Sequence, residues 1–368
     1  MKEAIRFLDL RISDAAERKE LLAACENVFN HGRIVLGPEV EEFERMIAKR
    51  VGKRHGIGVG SGSDAVYLGL RALGIGPGDE VITGSLSWIA TANGIALTGA
   101  TPVFADIGND LNLDPSSLQQ MISSKTRAVV AVHYTGRPCE MTELVKICEQ
   151  HKLLLVEDAA QAFGAKYQGR PVGCFGAVAC FSMNPMKVLA SLGEAGAVAT
   201  DGDAIADSVR SLRYNGTVNR EECLQPSING RIDTLQAAFL LVRMKRFEAV
   251  IGRRREIAAL YRDALRGVVD TPEERPGDFN VYYTYTIQAD DRDGLKRHLE
   301  ERHAIECKIQ HPILMPDQPP YRGKTRVQYE NARRLRERIL CIPAHEKMAD
   351  EQASRVAEAI RAYYGRGK

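Results

Sequence analysis

The lysine that ends Cys180-Phe181-Ser182-Met183-Asn184-Pro185-Met186-Lys187 offers this chain its most reactive amine. It follows an apolar run, 177–181, and a loop containing a proline. A small-residue turn, 193–196, and a second apolar run, 197–199, come after it. The pattern predicts strand, loop, turn, strand. A loop bracketed in this way can hold one amine in a fixed, partly dry place. There its pKa falls and it can form a Schiff base with an aldehyde. A solvated surface lysine is the ordinary alternative, and only company elsewhere in the chain argues against it.

Gly60-Ser61-Gly62-Ser63-Asp64 runs directly into a predicted helix. Free backbone N–H groups and the helix dipole make such a junction an anion site, and glycine lets a phosphate come close. A plain cap at Ser61, Ser63 or Asp64 explains the same residues. A dinucleotide fingerprint fits only in its loose form, with Ala65 last, and no Gly-Lys-Ser/Thr follows to make a P-loop. Asp158 closes the apolar run 153–156 after Glu157. A carboxylate there needs a partner. A ring nitrogen that must stay protonated is one such partner, and the next segment's amides are another. Gln161 can reach the same ring or serve as a core amide. Trp88, the only tryptophan, can stack on a flat ligand or fill a seam between domains. Ser182 can bond a phosphate or its own loop. Together these residues supply a phosphate cradle, an aromatic plate, an acid at a strand end and a lysine. Pyridoxal 5′-phosphate needs that set: one partner each for phosphate, ring face, ring nitrogen and aldehyde.

The elements that must position them follow from periodicity. Leu21, Leu22, Cys25, Val28 and Phe29 form one helical stripe over 14–30, and Val40, Phe43, Ile47 and Val51 another, with Pro38 near its start. Val66, Leu68, Leu70 and Leu73 mark the helix after the glycine turn. Short apolar strands at 80–83, 102–105, 128–132 and 153–156 alternate with helices, one of them over 141–150 and another opened by Trp88. This spacing predicts an α/β fold with a mostly parallel, mixed sheet flanked by helices. Uninterrupted apolar strands suit a sheet covered on both faces, with ligands at the carboxyl ends of its strands. From 232 to about 265 the pattern is one long helix or two joined ones. The predicted division falls within it: a large cofactor-binding domain over 1–248 and a smaller α+β domain over 249–368. The latter holds a strand-like run at 281–287, a loop over 311–325 and a last helix over 350–363.

At 368 residues, 44% apolar and 27% charged, the composition is that of a globular protein. A net charge of +2 gives no case for nucleic acid or membrane binding. There is no signal-peptide core and no apolar run of membrane-spanning length, so a cytoplasmic protein is expected. None of the eight cysteines forms C-x-x-C, which favours free thiols over disulfides or a metal site.

The chain resembles the DegT/DnrJ/StrS sugar aminotransferases, pyridoxal-phosphate enzymes of fold type I. The likeness runs through Phe7-Leu8-Asp9-Leu10, Gly37-Pro38-Glu39-Val40, the 60–65 turn, Gly76-Pro77-Gly78-Asp79, Ala90-Thr91-Ala92-Asn93 and Val132-His133-Tyr134. It is most specific in Glu157-Asp158-Ala159-Ala160-Gln161-Ala162-Phe163-Gly164 and in the lysine loop. By that resemblance Lys187 is the catalytic, cofactor-linked lysine and Asp158 binds the ring nitrogen. Trp88 covers the ring, and Gln161 sits by its phenolic oxygen. Gly62, Ser63 and Asp64 offer backbone contacts, and Ser182 its hydroxyl, to the phosphate. Asn229 matches the asparagine that reaches the phosphate of the partner subunit, so a homodimer with shared sites is implied. Asn184, His311 and Gln318 are candidate substrate contacts. The implied reaction moves an amine from an amino acid, L-glutamate by resemblance, through the pyridoxamine form of the cofactor to a keto sugar, most readily a nucleotide-linked one, as in amino sugar and polysaccharide biosynthesis. Asn184, Val188, Ser227 and Thr234 depart from the family's usual residues beside the substrate pocket or subunit contact. Two alternatives stand beside this reading. A deoxysugar dehydratase of the same family carries histidine where Lys187 stands. A non-catalytic ligand sensor would have lost part of the set Asp158, Gln161, Ser182 and Lys187.

Overall fold

The computed structural model describes residues 4–323 and 327–365. Its centre is a seven-stranded sheet made of β1 (His55–Val59), β2 (Glu80–Gly84), β3 (Thr101–Ala105), β4 (Thr126–Val132), β5 (Leu154–Asp158), β6 (Val178–Ser182) and β7 (Gly196–Thr200). The strand order is β1-β7-β6-β5-β4-β2-β3, and β7 alone runs against the others. Alternate residues of β4 enter opposite cores. Ala128 and Val130 pack towards α3 (Gly62–Ala72), and Val129 and Ala131 towards α5 (Met141–His151). Covering on both faces is why these strands read as unbroken apolar runs.

Two long helices lie at one side, α1 (Ala15–His31) and α2 (Pro38–Val51). The stripe expected on α1 is narrower than its sequence suggests. Leu21 and Val28 are buried, but Leu22 and Phe29 are 62% and 66% exposed. Helix α1 lies along only one seam of α6 (Thr234–Met244), against Phe239 and Val242. Residues 22 and 29 fall on the adjoining, outward stripe. The helix beyond Trp88 is α4 (Ala90–Leu97), so Trp88 stands before its first turn and does not open it.

The apolar pattern over 232–265 resolves into α6 and α7 (Phe247–Ala264), separated at Lys245 and Arg246. Helix α7 enters two cores. Phe247 and Ile251 pack with Phe163 and Phe181 beside the large sheet. Ile257 and Tyr261 pack in a second core with the antiparallel pair β8 (Tyr285–Gln288) and β9 (Ile339–Ile342) and with α8 (Asp350–Tyr364). Leu314, Met315 and Tyr321 return to pack against Leu86, Phe104 and Tyr134. A division at 248 is therefore proposed with α7 as the element common to both parts. The strand expected over 281–287 is confined to its second half. Val281 and Thr284 instead donate their backbone N–H groups to Gly136 and Thr135, in the turn after β4. Positions 324 and 325 of the expected 311–325 loop lie outside the described residues. Among the described residues no helix is long and apolar enough to cross a membrane.

The arginine run 253–255, which in the sequence could meet a diphosphate but reads more readily as a solvated helix face, is built into the structure. Arg254 is 2% exposed, with hydrogen bonds to the carbonyls of Tyr282 and Ala344 and an ion pair with Glu346. Arg255 pairs with Glu274.

Directly behind the carboxyl end of β5 lies a buried ionic cluster. His133, which follows the last residue of β4, meets Glu157 at 3.1 Å, and both are fully buried. Glu157 also accepts the N–H groups of Gly173, Phe175 and Gly176 at 2.6, 2.7 and 2.7 Å. Burial pushes its carboxyl upward, but His133 and these amides outweigh that and hold it below the ordinary value. The folded pKa is thus below the unfolded one. The stability this group confers is present above the unfolded value of about 4.3 and lost as pH falls through the folded value. Glu157→Gln would turn an amide donor towards backbone donors. It is expected to lower the unfolding free energy by about 3–5 kcal/mol in urea titrations at neutral pH. An unchanged urea midpoint would show that the cluster does not hold the β5 end in place.

Candidate active site

One cavity of about 1260 Å³ opens at the carboxyl ends of β2, β4, β5 and β6. This is where an open parallel sheet is expected to receive a ligand. Gly62, Ser63, Trp88, Asp158, Gln161, Ser182, Asn184, Lys187, His311 and Gln318 all line it. Two predicted residues are not brought in. Asp64 does not line the cavity, and its N–H is taken by the Ser61 hydroxyl at 3.1 Å, because Ser61 caps α3. Asn229 is exposed on the surface, where its side chain accepts from Arg231 Nε at 2.8 Å.

Each side chain is positioned by its place in the sheet. Asp158 is the last residue of β5 and is 4% exposed. The Thr91 hydroxyl donates to its Oδ2 at 2.7 Å and the Ala160 N–H to its Oδ1 at 3.1 Å. Lys187 acts on it through charge and not through a hydrogen bond. Burial therefore raises its carboxyl above the ordinary range, against the pull of Thr91, Ala160 and Lys187. Lys187 lies in the turn beyond β6, with its N–H donating to the Asn184 carbonyl at 2.8 Å. Its Nζ stands 4.3 Å from the centre of the Tyr283 ring. Burial lowers the amine to about 8, opposed by the charges of Asp158 and Glu194. Shifts of this kind, in one cavity, mark a reactive site.

The approach of α3 to β6 is close. A Cβ on Gly62 would stand 2.6 Å from the Ser182 Cβ, so only glycine lets the turn and the serine hydroxyl share one concavity. Gln161 accepts the Thr135 N–H at 2.8 Å through Oε1, so Nε2 carries its remaining donors. Trp88 is 60% exposed and its ring is 5.7 Å from that of His311, which is 5.6 Å from that of Tyr134. His311 Nε2 and Tyr134 Oη are buried without a hydrogen-bond partner among the described residues. Burial, and then the Lys187 charge, lower the histidine to about 4, so it is neutral at pH 7.

These residues fit pyridoxal 5′-phosphate on the structure's own terms. The buried Asp158 carboxylate, hydrogen-bonded to Thr91 and Ala160, matches a protonated ring nitrogen. The glycine-lined turn beside Ser182 matches a phosphate, the exposed tryptophan face a ring, and the lowered amine an aldehyde. Four participants were not singled out from the sequence. Thr91 lies three residues after Trp88 at the start of the same small-residue helix, and that spacing was the available signal. Glu194 faces Asn184 across the β6–β7 register. Tyr283 reaches the site from the second part of the chain and carries no local signal, while Tyr134, in the turn after β4, stands behind the His311 ring and outside the cavity lining.

Comparison with known proteins identifies the family and the fold. The model of the DegT/DnrJ/EryC1/StrS aminotransferase family matches residues 15–361. The dTDP-3-amino-3,4,6-trideoxy-alpha-D-glucose transaminase of Streptomyces venezuelae is 37% identical over 362 residues, spanning 97% of this chain and 95% of its own. The crystal structure of DesV from S. venezuelae matches with a TM-score of 0.95 at 36% identity over 99% of both chains. NtdA from Bacillus subtilis, solved with bound cofactor PMP, matches with a TM-score of 0.93 at 28% identity, over 99% of this chain and 86% of that one. A family match over nearly the whole length, together with a lysine and an acid sharing one cavity at the sheet edge, makes this chain a member of the DegT/DnrJ/EryC1/StrS aminotransferase family.

Proposed function

We propose that the protein is a pyridoxal-phosphate-dependent aminotransferase that takes an amine from L-glutamate and delivers it to a nucleotide-linked keto sugar. The observation that carries this reading is that Lys187 and Asp158 line the same cavity as the Gly62–Ser63 turn and Ser182. When bound, the cofactor accepts the electron pair released as a C–H bond of the amino substrate breaks. Lys187 Nζ removes the proton from the amine-bearing carbon, and a pKa of about 8 leaves the neutral amine accessible near pH 7. Asp158 holds a proton on the ring nitrogen, fixed for that task by Thr91 and Ala160. The N–H groups of Gly62 and Ser63 and the Ser182 hydroxyl hold the phosphate. Gln161 Nε2 donates to the phenolic oxygen, and Trp88 shields the ring from water. His311 and Gln318 contact substrate, whereas the Asn184 side chain is taken up by Glu194 and the lysine turn. The keto-sugar acceptor is supported by the transaminase relative from S. venezuelae, named for a dTDP-linked amino sugar.

A homodimer completes the site in this reading. Asn229 lies outside its own chain's cavity, exposed beside the half-exposed Ile228. The outward Leu22 and Phe29 of α1 add apolar surface that a second copy would cover.

The test is spectroscopic. The purified protein should carry the visible absorbance of its cofactor, lose it on adding L-glutamate as 2-oxoglutarate forms, and regain it with a dTDP- or UDP-linked keto sugar. The product should gain an amine by mass. Loss of water instead would favour the dehydratase alternative. Absence of any spectral change with every amino acid tried would sink the reading.

A further inference from the structure

We propose that Glu194 is a positioning residue for the catalytic lysine: through its hydrogen bond to the Asn184 side chain it fixes the turn that carries Lys187 into the cavity. This rests on the amino-transfer reading above. Strands β6 and β7 are antiparallel, with Ser182 opposite Gly196, and the Met183 N–H donates to the Ala195 carbonyl at 2.8 Å. Carried two residues past the strand ends, that register sets position 184 opposite position 194. The side chains meet there, with Asn184 Nδ2 donating to Glu194 Oε1 at 2.6 Å.

The remaining polar groups of Asn184 are all used by the lysine turn. Its Oδ1 accepts the Met186 N–H at 3.0 Å, and its carbonyl accepts the Lys187 N–H at 2.8 Å. Its own N–H donates to the Ser182 hydroxyl at 3.4 Å. An asparagine amide has one accepting and one donating end, and exchanging them would set NH2 against the Met186 N–H. Glu194, as a carboxylate, only accepts. It therefore dictates that the donating end faces it and the accepting end closes the turn. The bond is charge-assisted and short, as befits a fixed contact. Among the described residues Glu194 has no basic partner, and it lines the cavity beside Asn184 and Lys187. Its charge is thus felt by the amine it helps to place.

Steady-state amino transfer across a pH series, in the cofactor-loaded protein, tests this with Glu194→Ala, Asn184→Ala, the double variant and Glu194→Gln. Each alanine variant is expected to lower kcat about tenfold, with the keto-sugar KM within about twofold. The double variant should be no worse than either single one, because the two side chains act as one unit. Glu194→Gln keeps an accepting oxygen and should recover most of kcat. Its pH profile should nevertheless move to lower pH on the limb set by Lys187, because an anion beside the amine has gone. Losses that multiply in the double variant, a raised KM at constant kcat, or an unmoved profile in Glu194→Gln would each overturn the proposal. The wild-type half-reaction with L-glutamate separates the two levels. If it is absent, the amino-transfer reading fails; if it is present while the variants match wild type, only this inference fails.

Discussion

Lys187→Ala is expected to lower the turnover of amino transfer by about 10⁴-fold, the upper end of what a positioned acid–base group contributes. The argument begins with burial. The amine is enclosed beside the Tyr283 ring and lowered to about 8. It is therefore both basic enough to take a proton from carbon and deprotonated often enough to do so. Among the described residues the other cavity-lining bases are poor substitutes. Arg254 is tied to Glu346 and to backbone carbonyls, Lys296 is paired with Glu300, Lys308 is held over the Phe7 ring, and His311, lowered to about 4, is too weak a base. Loss of the amine should leave the fold intact, since Lys187 makes no ion pair among the described residues. The measurement is steady-state formation of 2-oxoglutarate from L-glutamate with the keto-sugar acceptor present. A variant that still completes many turnovers at more than about a hundredth of the wild-type rate would remove lysine from the mechanism. The same variant tests the shared site. Mixed and reassembled with Asn229→Ala, it should regain about a quarter of wild-type activity. Random pairing makes half the dimers mixed, and each mixed dimer holds one complete site. No recovery on mixing would place Asn229 outside the partner's site.

The lysine loop and the strand-end acid were legible because both are local. An apolar run that ends in a polar residue marks the carboxyl end of a buried strand, and parallel strands collect those ends along one edge. Asp158, Ser182 and Trp88 stood out as candidates from that position, and the structure sets all three around one cavity. Glu194 was within reach of the same reasoning, since the antiparallel register of β6 and β7 carries it opposite Asn184. Tyr283 was not, because its approach to Lys187 depends on Val281 and Thr284 bonding to the turn after β4, a contact between distant segments that leaves no periodic trace. Asp64 was expected to offer its backbone N–H to the phosphate or to cap the helix, but Ser61 is the cap and takes that N–H. Leu22 and Phe29 misled because helical spacing identifies an apolar stripe without saying whether the chain itself or a second copy covers it. The arginine run 253–255 misled in the opposite direction. Charge suggested solvent, while Arg254 satisfies carbonyls inside the seam between the two cores.

Asp158→Asn should separate function from folding at the same strand end. Asparagine preserves size, keeps an oxygen for the Ala160 N–H and can donate its amide to the Thr91 hydroxyl, which also accepts, but it cannot balance a cation. If Asp158 holds a protonated ring nitrogen, turnover should fall about 10³-fold, the scale of losing one preorganised electrostatic partner. Stability should move the other way. The folded carboxyl is raised above its unfolded value of about 3.9 because burial penalises its charge. A group raised in this way stabilises the fold below its unfolded pKa, and that stability is lost as pH rises through the folded value. At neutral pH the ionised carboxyl is thus a cost when no cation faces it. Cofactor-free Asp158→Asn should therefore melt no lower than cofactor-free wild type. The neighbouring Glu157→Gln should melt well below it, because Glu157 satisfies His133 and three amides. Adjacent carboxylates on one strand would then show opposite behaviour, one spent on the fold and the other held in reserve for a ligand. Near-wild-type turnover in Asp158→Asn, or a melting loss as large as that of Glu157→Gln, would mean that Asp158 is part of the scaffold and that the site does not use it as a counter-charge.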